Sequence, residues 1–309
     1  MPVIVLAAAH AQLLDRDVGG SNGQALAYLG KEAKAAAPLA LTTQAGSGDH
    51  VAYADKGEPL SVLLVDKDGH YLVQTAFGLV GWAQAAAADA PATQDQFGTL
   101  HSVEGQENGE PSGIVVHYNP DYFQVINDNI PVDGGPTVYR LLRGKIGADS
   151  AQYVVECDWG MSGDPSCSFN ANGQDGAMLG GDTFYVPGNG YIYSASAANA
   201  YYPMRTKWAL RGNDAQEIKQ PYYAVGIHSE ALADLAVQGL DGKAFTIATG
   251  GKVDVILHAP EQASCAKEEY CPELPLLVRN AEGESGWTVL DLSNGGIKTT
   301  IKDIIFLGD

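Results

Sequence analysis

Short apolar runs broken by Gly, Asp, Asn and Pro dominate this chain, and residue pairs alternate with a period of two. Leu60 to Val65 is a continuous run of Val and Leu with one Ser, the pattern of a buried strand. Asp66-Lys67-Asp68-Gly69 follows, and an Asp-Gly pair between apolar runs predicts a hairpin because Gly accepts a positive φ. Tyr71, Val73 and Thr75 then alternate with Leu72, Gln74 and Ala76. Phe77-Gly78 predicts a turn. Val80-Gly81-Trp82-Ala83 predicts a further strand, in which Gly81 permits a close backbone approach or a bulge beside the indole.

This pattern occurs twice. Tyr71 to Trp82 (YLVQTAFGLVGW) is echoed by Leu276 to Trp287 (LLVRNAEGESGW), with six identities in twelve positions at an offset of 205. A weaker echo lies upstream of each: Gly57, Leu60, Val62, Leu63 and Leu64 match Gly250, Val253, Val255, Ile256 and Leu257 at an offset of 193. The two offsets differ by 12, so the second copy carries twelve extra residues between its strand signals, among them Cys265 and Cys271.

The remaining pattern divides the chain into five stretches. Residues 1–11 resemble the tail of a secretory signal peptide: Val3 to Ala9 is an apolar core and Ala9-His10-Ala11 a small-x-small cleavage pattern, although no Lys or Arg precedes Arg16. Residues 12–37 form an N-terminal segment in which Ala-rich Gln24 to Ala37 predicts a short helix. Residues 38–90 hold the first β module, residues 91–244 a central β-rich region and residues 245–309 the second module. In the central region Ile114 to Tyr118 and Tyr122 to Ile126 read as strands with a turn at Asn119-Pro120-Asp121. Val138 to Leu142, Gln152 to Glu156, Thr183 to Val186, Tyr191 to Tyr193, Arg205 to Arg211 and Gln216 to Lys219 read as further strands, and Tyr222 to Ile227 closes the meander. The Gly/Asn-rich tract from Asn170 to Gly181 reads as an irregular surface loop. Ser229 to Gln238 reads as the best helix, with Ser229 as cap and Leu232, Leu235 and Ala236 on one face. At the far end Ile297 to Leu307 is apolar enough to be docked core. The fold class is therefore mainly β, two small modules flanking a central antiparallel β-rich domain with few short helices.

Two short strands, a Gly turn and a Gly-Trp pair resemble the bacterial SH3-like domain of exported and cell-wall proteins. The residues that carry the resemblance are Gly57 to Leu63, Tyr71 to Thr75 and Gly78 to Trp82, and in the second copy Lys252 to Leu257 and Leu276 to Leu290. It implies two small barrels and a role in envelope binding, but a small barrel hosts many functions. The second copy has Leu276 where the first has Tyr71, so an aromatic ligand groove is expected only in the first.

Charge narrows the partners. There are 18 Lys and Arg against 37 Asp and Glu, a net charge of −19. That sign opposes nucleic acid, anionic lipid and anionic polymers. No segment reaches the roughly 18 apolar residues of a membrane span. The four cysteines fall in two close pairs, Cys157 with Cys167 and Cys265 with Cys271. Three connectivities are possible, and two local disulfides are the simplest, which would place the chain in an oxidising, periplasmic or secreted compartment.

Catalytic patterns are missing from the sequence. The seven histidines show no metal-ligand spacing, and His70 after its turn is expected to face solvent, whereas His117 and His258 lie inside strand runs. No Gly-x-Ser-x-Gly elbow, phosphate loop or dinucleotide fingerprint occurs, and no metal or other cofactor is implied. Aromatics are the remaining lead: a flat apolar face with a polar edge suits sugars and peptides. Tyr71 and Phe77 are expected to line an exposed groove, with Trp82, Tyr191, Tyr193 and Trp208 as further ligand-binding candidates. The sequence thus points to an exported, non-catalytic binding protein of the bacterial cell envelope that recognises a peptide, glycan or protein partner. A cell-wall hydrolase whose residues converge from separate strands, and an acidic inhibitor of a basic enzyme, are the alternatives.

Overall fold

The computed structural model describes residues 13–86, 101–107, 110–131, 137–147, 150–160, 164–171, 173–197, 200–211, 214–268, 271–293 and 299–306. The signal-like stretch lies outside them. The protein is mainly β and falls into two compact units: residues 1–90 together with 220–309, and residues 91–219.

The first unit begins with β1 (Leu26–Lys34), β2 (Leu39–Gln44), β3 (Ser47–Ala54), β4 (Pro59–Asp66), β5 (Tyr71–Thr75) and β6 (Val80–Ala85), one sheet in the order β1-β4-β5-β6-β2-β3. The hairpin turn before Tyr71 forms as expected: Asp66 Oδ1 accepts from the backbone N–H groups of Asp68 and His70, and Gly69 has φ 87°. His70 is not free in solvent; its Nδ1 lies 2.8 Å from Asp66 Oδ2.

The second unit holds β7 (His101–Glu107), β8 (Glu110–Tyr118), β9 (Phe123–Ile130), β10 (Val138–Lys145), β11 (Gln152–Asp158), β12 (Ser166–Ala171), β13 (Gln174–Gly180), β14 (Thr183–Val186), β15 (Tyr191–Ser196), β16 (Met204–Arg211) and β17 (Asp214–Ile218). They form two sheets, β13-β12-β11-β10-β9 and β17-β16-β15-β14-β8-β7. Residues of both, such as Val116, Phe184 and Ile192 against Leu142, Val155 and Phe169, share one core. The Asn119 turn exists, but the strands it joins do not pair: β8 runs parallel to β14, and β9 pairs with β10. The tract from Asn170 to Gly181 is not an irregular loop but the end of β12 and the whole of β13. Gly176 is required there, since a Cβ would stand 1.7 Å from the Phe169 carbonyl oxygen, and its N–H donates to Asn170 Oδ1.

The chain then returns to the first unit as β18 (Tyr223–Glu230), β19 (Leu235–Gly239), β20 (Ala244–Ile247), β21 (Lys252–His258), β22 (Glu273–Asn280) and β23 (Ser285–Asp291), ordered β18-β21-β22-β23-β19-β20. This is the order of the first sheet, strand for strand. The second copy's sheet therefore starts at Tyr223, and residues 220–244 belong to the first unit rather than to the central one. Both expected helices are strands. Gln24 to Ala37 contains β1, and Ser229 to Gln238 contains the end of β18 and most of β19, where Leu235, Val237 and Gly239 are buried and Ala236 and Gln238 exposed. Leu232, assigned to a helical apolar face, is 51% exposed. At the end of the described chain Ile301 and Ile304 are fully buried, and Ile301 bridges to Ala231.

The duplication extends to details that identity does not show. Both first strands carry a bulge against their neighbour, at Tyr28/Lys31 and at Ala224/Ile227, and both bulges hold a left-handed glycine, Gly30 (φ 56°) and Gly226 (φ 70°). Gly81 and Gly286 face the same demand: a Cβ would come within 2.9 Å of Leu41 Cβ in one and 2.4 Å of the Gln238 carbonyl oxygen in the other. The two sheets share a core in which equivalent residues meet: Leu64 and Leu257, Leu72 and Leu277, and Trp82 with half-buried Trp287 beside it. A bridge between Leu79 and Tyr223 joins their backbones.

Candidate functional site

Within the duplicated unit, equivalent positions of both copies line one recess of about 190 Å³, which places it on the approximate two-fold relating them. Three neighbouring strands supply a row of polar side chains from each copy. In the first, Glu32 on β1 stands opposite Ser61 on β4, which stands opposite Gln74 on β5. In the second, the same places on β18, β21 and β22 hold His228, Asp254 and Arg279. Ser61 Oγ donates to Glu32 Oε1 at 2.8 Å. Arg279 donates through Nη2 and Nε to Asp254 Oδ2 at 2.7 and 3.1 Å, and His228 Nδ1 lies 2.7 Å from Asp254 Oδ1. Burial raises the Asp254 pKa, but the bonds and charges of His228 and Arg279 outweigh it and hold the carboxylate below its ordinary range. The Arg279 guanidinium also lies 5.2 Å from the centre of the Tyr28 ring, so it ties the second copy to the first. A serine, a histidine and an aspartate thus line one recess, but the serine hydroxyl is turned to Glu32 and not to the imidazole.

Two further recesses flank this one in related places. Each lies between the β2–β3 turn of one copy, or its β19–β20 counterpart, and the first strand of the other. One, of about 460 Å³, is lined by Gln24 and Tyr28 from β1 and its approach, and by Leu240, Asp241 and Glu284 from the second copy. The other, of about 380 Å³, is lined by Thr43, Gln44 and Trp82 of the first copy and by Tyr222, Glu261 and Gln262 of the second. Glu261 and Gln262 come from the twelve-residue insertion, a 3-10 turn over Pro260–Gln262 followed by the loop that the Cys265–Cys271 disulfide closes. Ser264 anchors that loop, its N–H and hydroxyl both donating to Glu273 at 2.6 Å. Burial raises the Tyr222 pKa, while a hydrogen bond from Trp82 opposes the shift and Glu261 adds to it. This recess combines an indole, a phenol, two amides, a carboxylate and a hydroxyl.

The expected ligand-binding aromatics are dispersed. Tyr71 and Phe77 are 9% and 6% exposed, and so are packed inside rather than lining an open groove. Trp82 is also mostly buried, yet its edge reaches the lateral recess. In the second unit Tyr193 is fully buried and Tyr191 half-buried, with Lys207 Nζ 4.0 Å above the Tyr191 ring and 5.8 Å from that of Tyr193. Trp208 points to the other face, into the sandwich core, and donates to Ser194 Oγ at 3.0 Å. These three do not form one surface. Cysteine pairing is local: Cys157 with Cys167, directly opposite each other on β11 and β12, and Cys265 with Cys271. Among the described residues, Cys265, Cys271 and Glu273 are the group close enough to hold a metal ion, but both sulfurs are taken up in the disulfide.

Sequence reasoning missed Glu261 and Gln262, the meeting of Tyr222 with Trp82, and the whole polar row. The twelve extra residues were the visible signal for the insertion. The row becomes visible only once β1 and β18 are paired with their neighbours in register, because the first strands share no identity beyond Gly30 and Gly226 that would align them. No helix among the described residues is long and apolar enough to cross a membrane. No family model, curated protein or solved structure matches this chain.

Proposed function

We propose that this is an exported, non-catalytic binding protein of the bacterial cell envelope, and that it holds a peptide or glycan segment in the recess between Trp82 and Tyr222. One observation carries the reading: the second copy of the repeat departs from the first by an insertion, and that insertion supplies Glu261 and Gln262 to a recess built on the Gly-Trp strand of the first copy. Aromatic edges with amide and carboxylate groups suit ligands rich in hydroxyls and amides. The two disulfides fit an oxidising compartment. The SH3-like resemblance of the Gly-Trp motifs supports an envelope setting and two related modules.

Retention on purified cell-wall material, compared with soluble wall peptides and glycan fragments as competitors, tests the reading. Glu261 and Gln262 are exposed and outside the core, so Glu261→Gln and Gln262→Ala should leave folding intact. The double variant is expected to lose at least tenfold in retention. Replacing both Cys265 and Cys271 by Ser should weaken retention and cost about 2 kcal/mol of stability by the loop-closure relation. Retention unchanged by all four substitutions, or release of soluble fragments from the wall, would overturn it.

A further inference from the structure

The axial recess is chemically lopsided in a way the lateral ones are not. Its first-copy wall ends in the Glu32 carboxylate, exposed and bonded through Oε1 to Ser61. The opposite wall ends in Arg279, which spends Nε and Nη2 on Asp254 and keeps Nη1 beyond that pair. Asp254 is fully engaged, by Arg279 on one oxygen and by His228 on the other. Gln74, at the other end of the first-copy row, has no side-chain hydrogen bond among the described residues and also lines the recess. An acceptor edge and a donor edge thus face each other across a space of about 190 Å³, too small for a drug-sized ligand and suited to a group the size of a small amino acid.

From this arrangement we infer that the axial recess is a binding site for a small zwitterion, a free α-amino acid. The ammonium sits against Glu32. The carboxylate sits against Arg279 Nη1, and Asp254, held by His228, keeps the guanidinium plane fixed. The two halves of the ligand are read by different copies, so the site exists only because the copies have diverged: Glu32 corresponds to His228, Ser61 to Asp254 and Gln74 to Arg279. This site is separate from the Trp82 recess and does not depend on the reading given for it.

Titration calorimetry on the full-length protein with glycine, L-alanine and D-alanine tests the inference, beside N-acetylalanine, alanine amide, acetate and methylamine as probes. Saturable binding of a free amino acid is expected, with at least a tenfold loss on blocking either end. Glu32→Gln lies on an exposed strand position and is expected to lose a similar factor, chiefly by admitting ligands without an ammonium. Arg279→Lys keeps a cation for Asp254 and removes the fork, and is expected to lose discrimination for the carboxylate; should it fail to fold, the blocked ligands and Glu32→Gln still decide. Gln262→Ala is expected to change nothing here. No binding of any free amino acid at about ten times a millimolar Kd would overturn the inference. So would methylamine or acetate binding as well as the zwitterion, or indifference to Glu32→Gln.

Discussion

In the first copy of the repeat Ala27, Val65 and Tyr71 stand side by side across three strands; in the second, Tyr223, His258 and Leu276 fill the same places. Five of the six are buried, and His258 is mostly so. The aromatic ring has moved from the third strand to the first, and the aliphatic group the other way. The core keeps its positions and not its residues, and the neighbours repack around the change. The glycines behave differently. Gly30 and Gly226, Gly57 and Gly250, and Gly78 and Gly283 all keep positive φ, and Gly81 and Gly286 both lack room for a Cβ. Backbone conformation and close approach have no substitute side chain. The polar row at the axis follows neither rule, since its side chains line an open recess, and there the copies share no residue. Duplication has preserved geometry where geometry is steric and freed chemistry where the surface is open.

Substitutions at paired positions can break this comparison. The largest effect is expected at the two tryptophans. Trp82→Ala removes an indole that is 6% exposed and central to the shared core, and should cost about 3–5 kcal/mol, whereas Trp287→Ala, at a half-buried position, should cost about half as much. Chemical denaturation with an unchanged slope measures both; equal losses would mean the copies do not pack as described.

The next effect is a pH dependence that His258 brings to the second copy. Burial holds the His258 imidazole at about 4, below its ordinary 6.5. Between those values the unfolded chain takes up a proton that the folded one refuses, so stability falls as pH falls from 6.5 to about 4, by about 3 kcal/mol across the window. His258→Val installs the residue of the equivalent place, Val65, and should remove the His258 share of that slope, leaving the part that burial of His117 contributes; a slope unchanged by the substitution would assign all of it to other groups. The smallest effect separates the two bulges. Gly226→Ala meets no atom within 4 Å and should cost about 1 kcal/mol for its left-handed backbone, whereas Gly30→Ala also meets the Tyr28 hydroxyl at 2.6 Å and its ring at 2.8 Å and should cost more. Thermal unfolding of the two variants resolves the difference.

How far the sequence could be read follows from the same distinction. The Gly-Trp strands, the Asp66 turn and the twelve-residue insertion were legible, because turns and close approaches demand particular residues. The pairing of β16 with β17 was legible in part, since Arg205 to Arg211 and Gln216 to Lys219 read as strands and the two strands lie within two residues of those bounds. The first strands were not. Alanines and long polar residues in Gln24 to Ala37 favour a helix locally, and strand pairing with β4 overrides that preference. In Ser229 to Gln238, Leu232 and Leu235 match a helical face, but a five-residue alternation in β19 wins because it extends the sheet beside β23. Without those strands the second copy appeared shorter than it is, its boundary was set twenty residues late, and neither the axial row nor Tyr222 could be assembled. Tyr71 and Phe77 were expected to line an exposed groove, whereas here two sheets share a core and both side chains are buried.

The most direct measurement uses the four tryptophans as reporters. The indole N–H signals of Trp82, Trp159, Trp208 and Trp287 can be followed by two-dimensional NMR while soluble wall fragments are added to the whole protein. Binding at the lateral recess predicts that the Trp82 signal, hydrogen-bonded to Tyr222, moves first and saturates with the bound fraction, while Trp159 and Trp208 stay in place. A shift confined to Trp159, Trp208 or Trp287, or binding that leaves all four unchanged, would contradict the account.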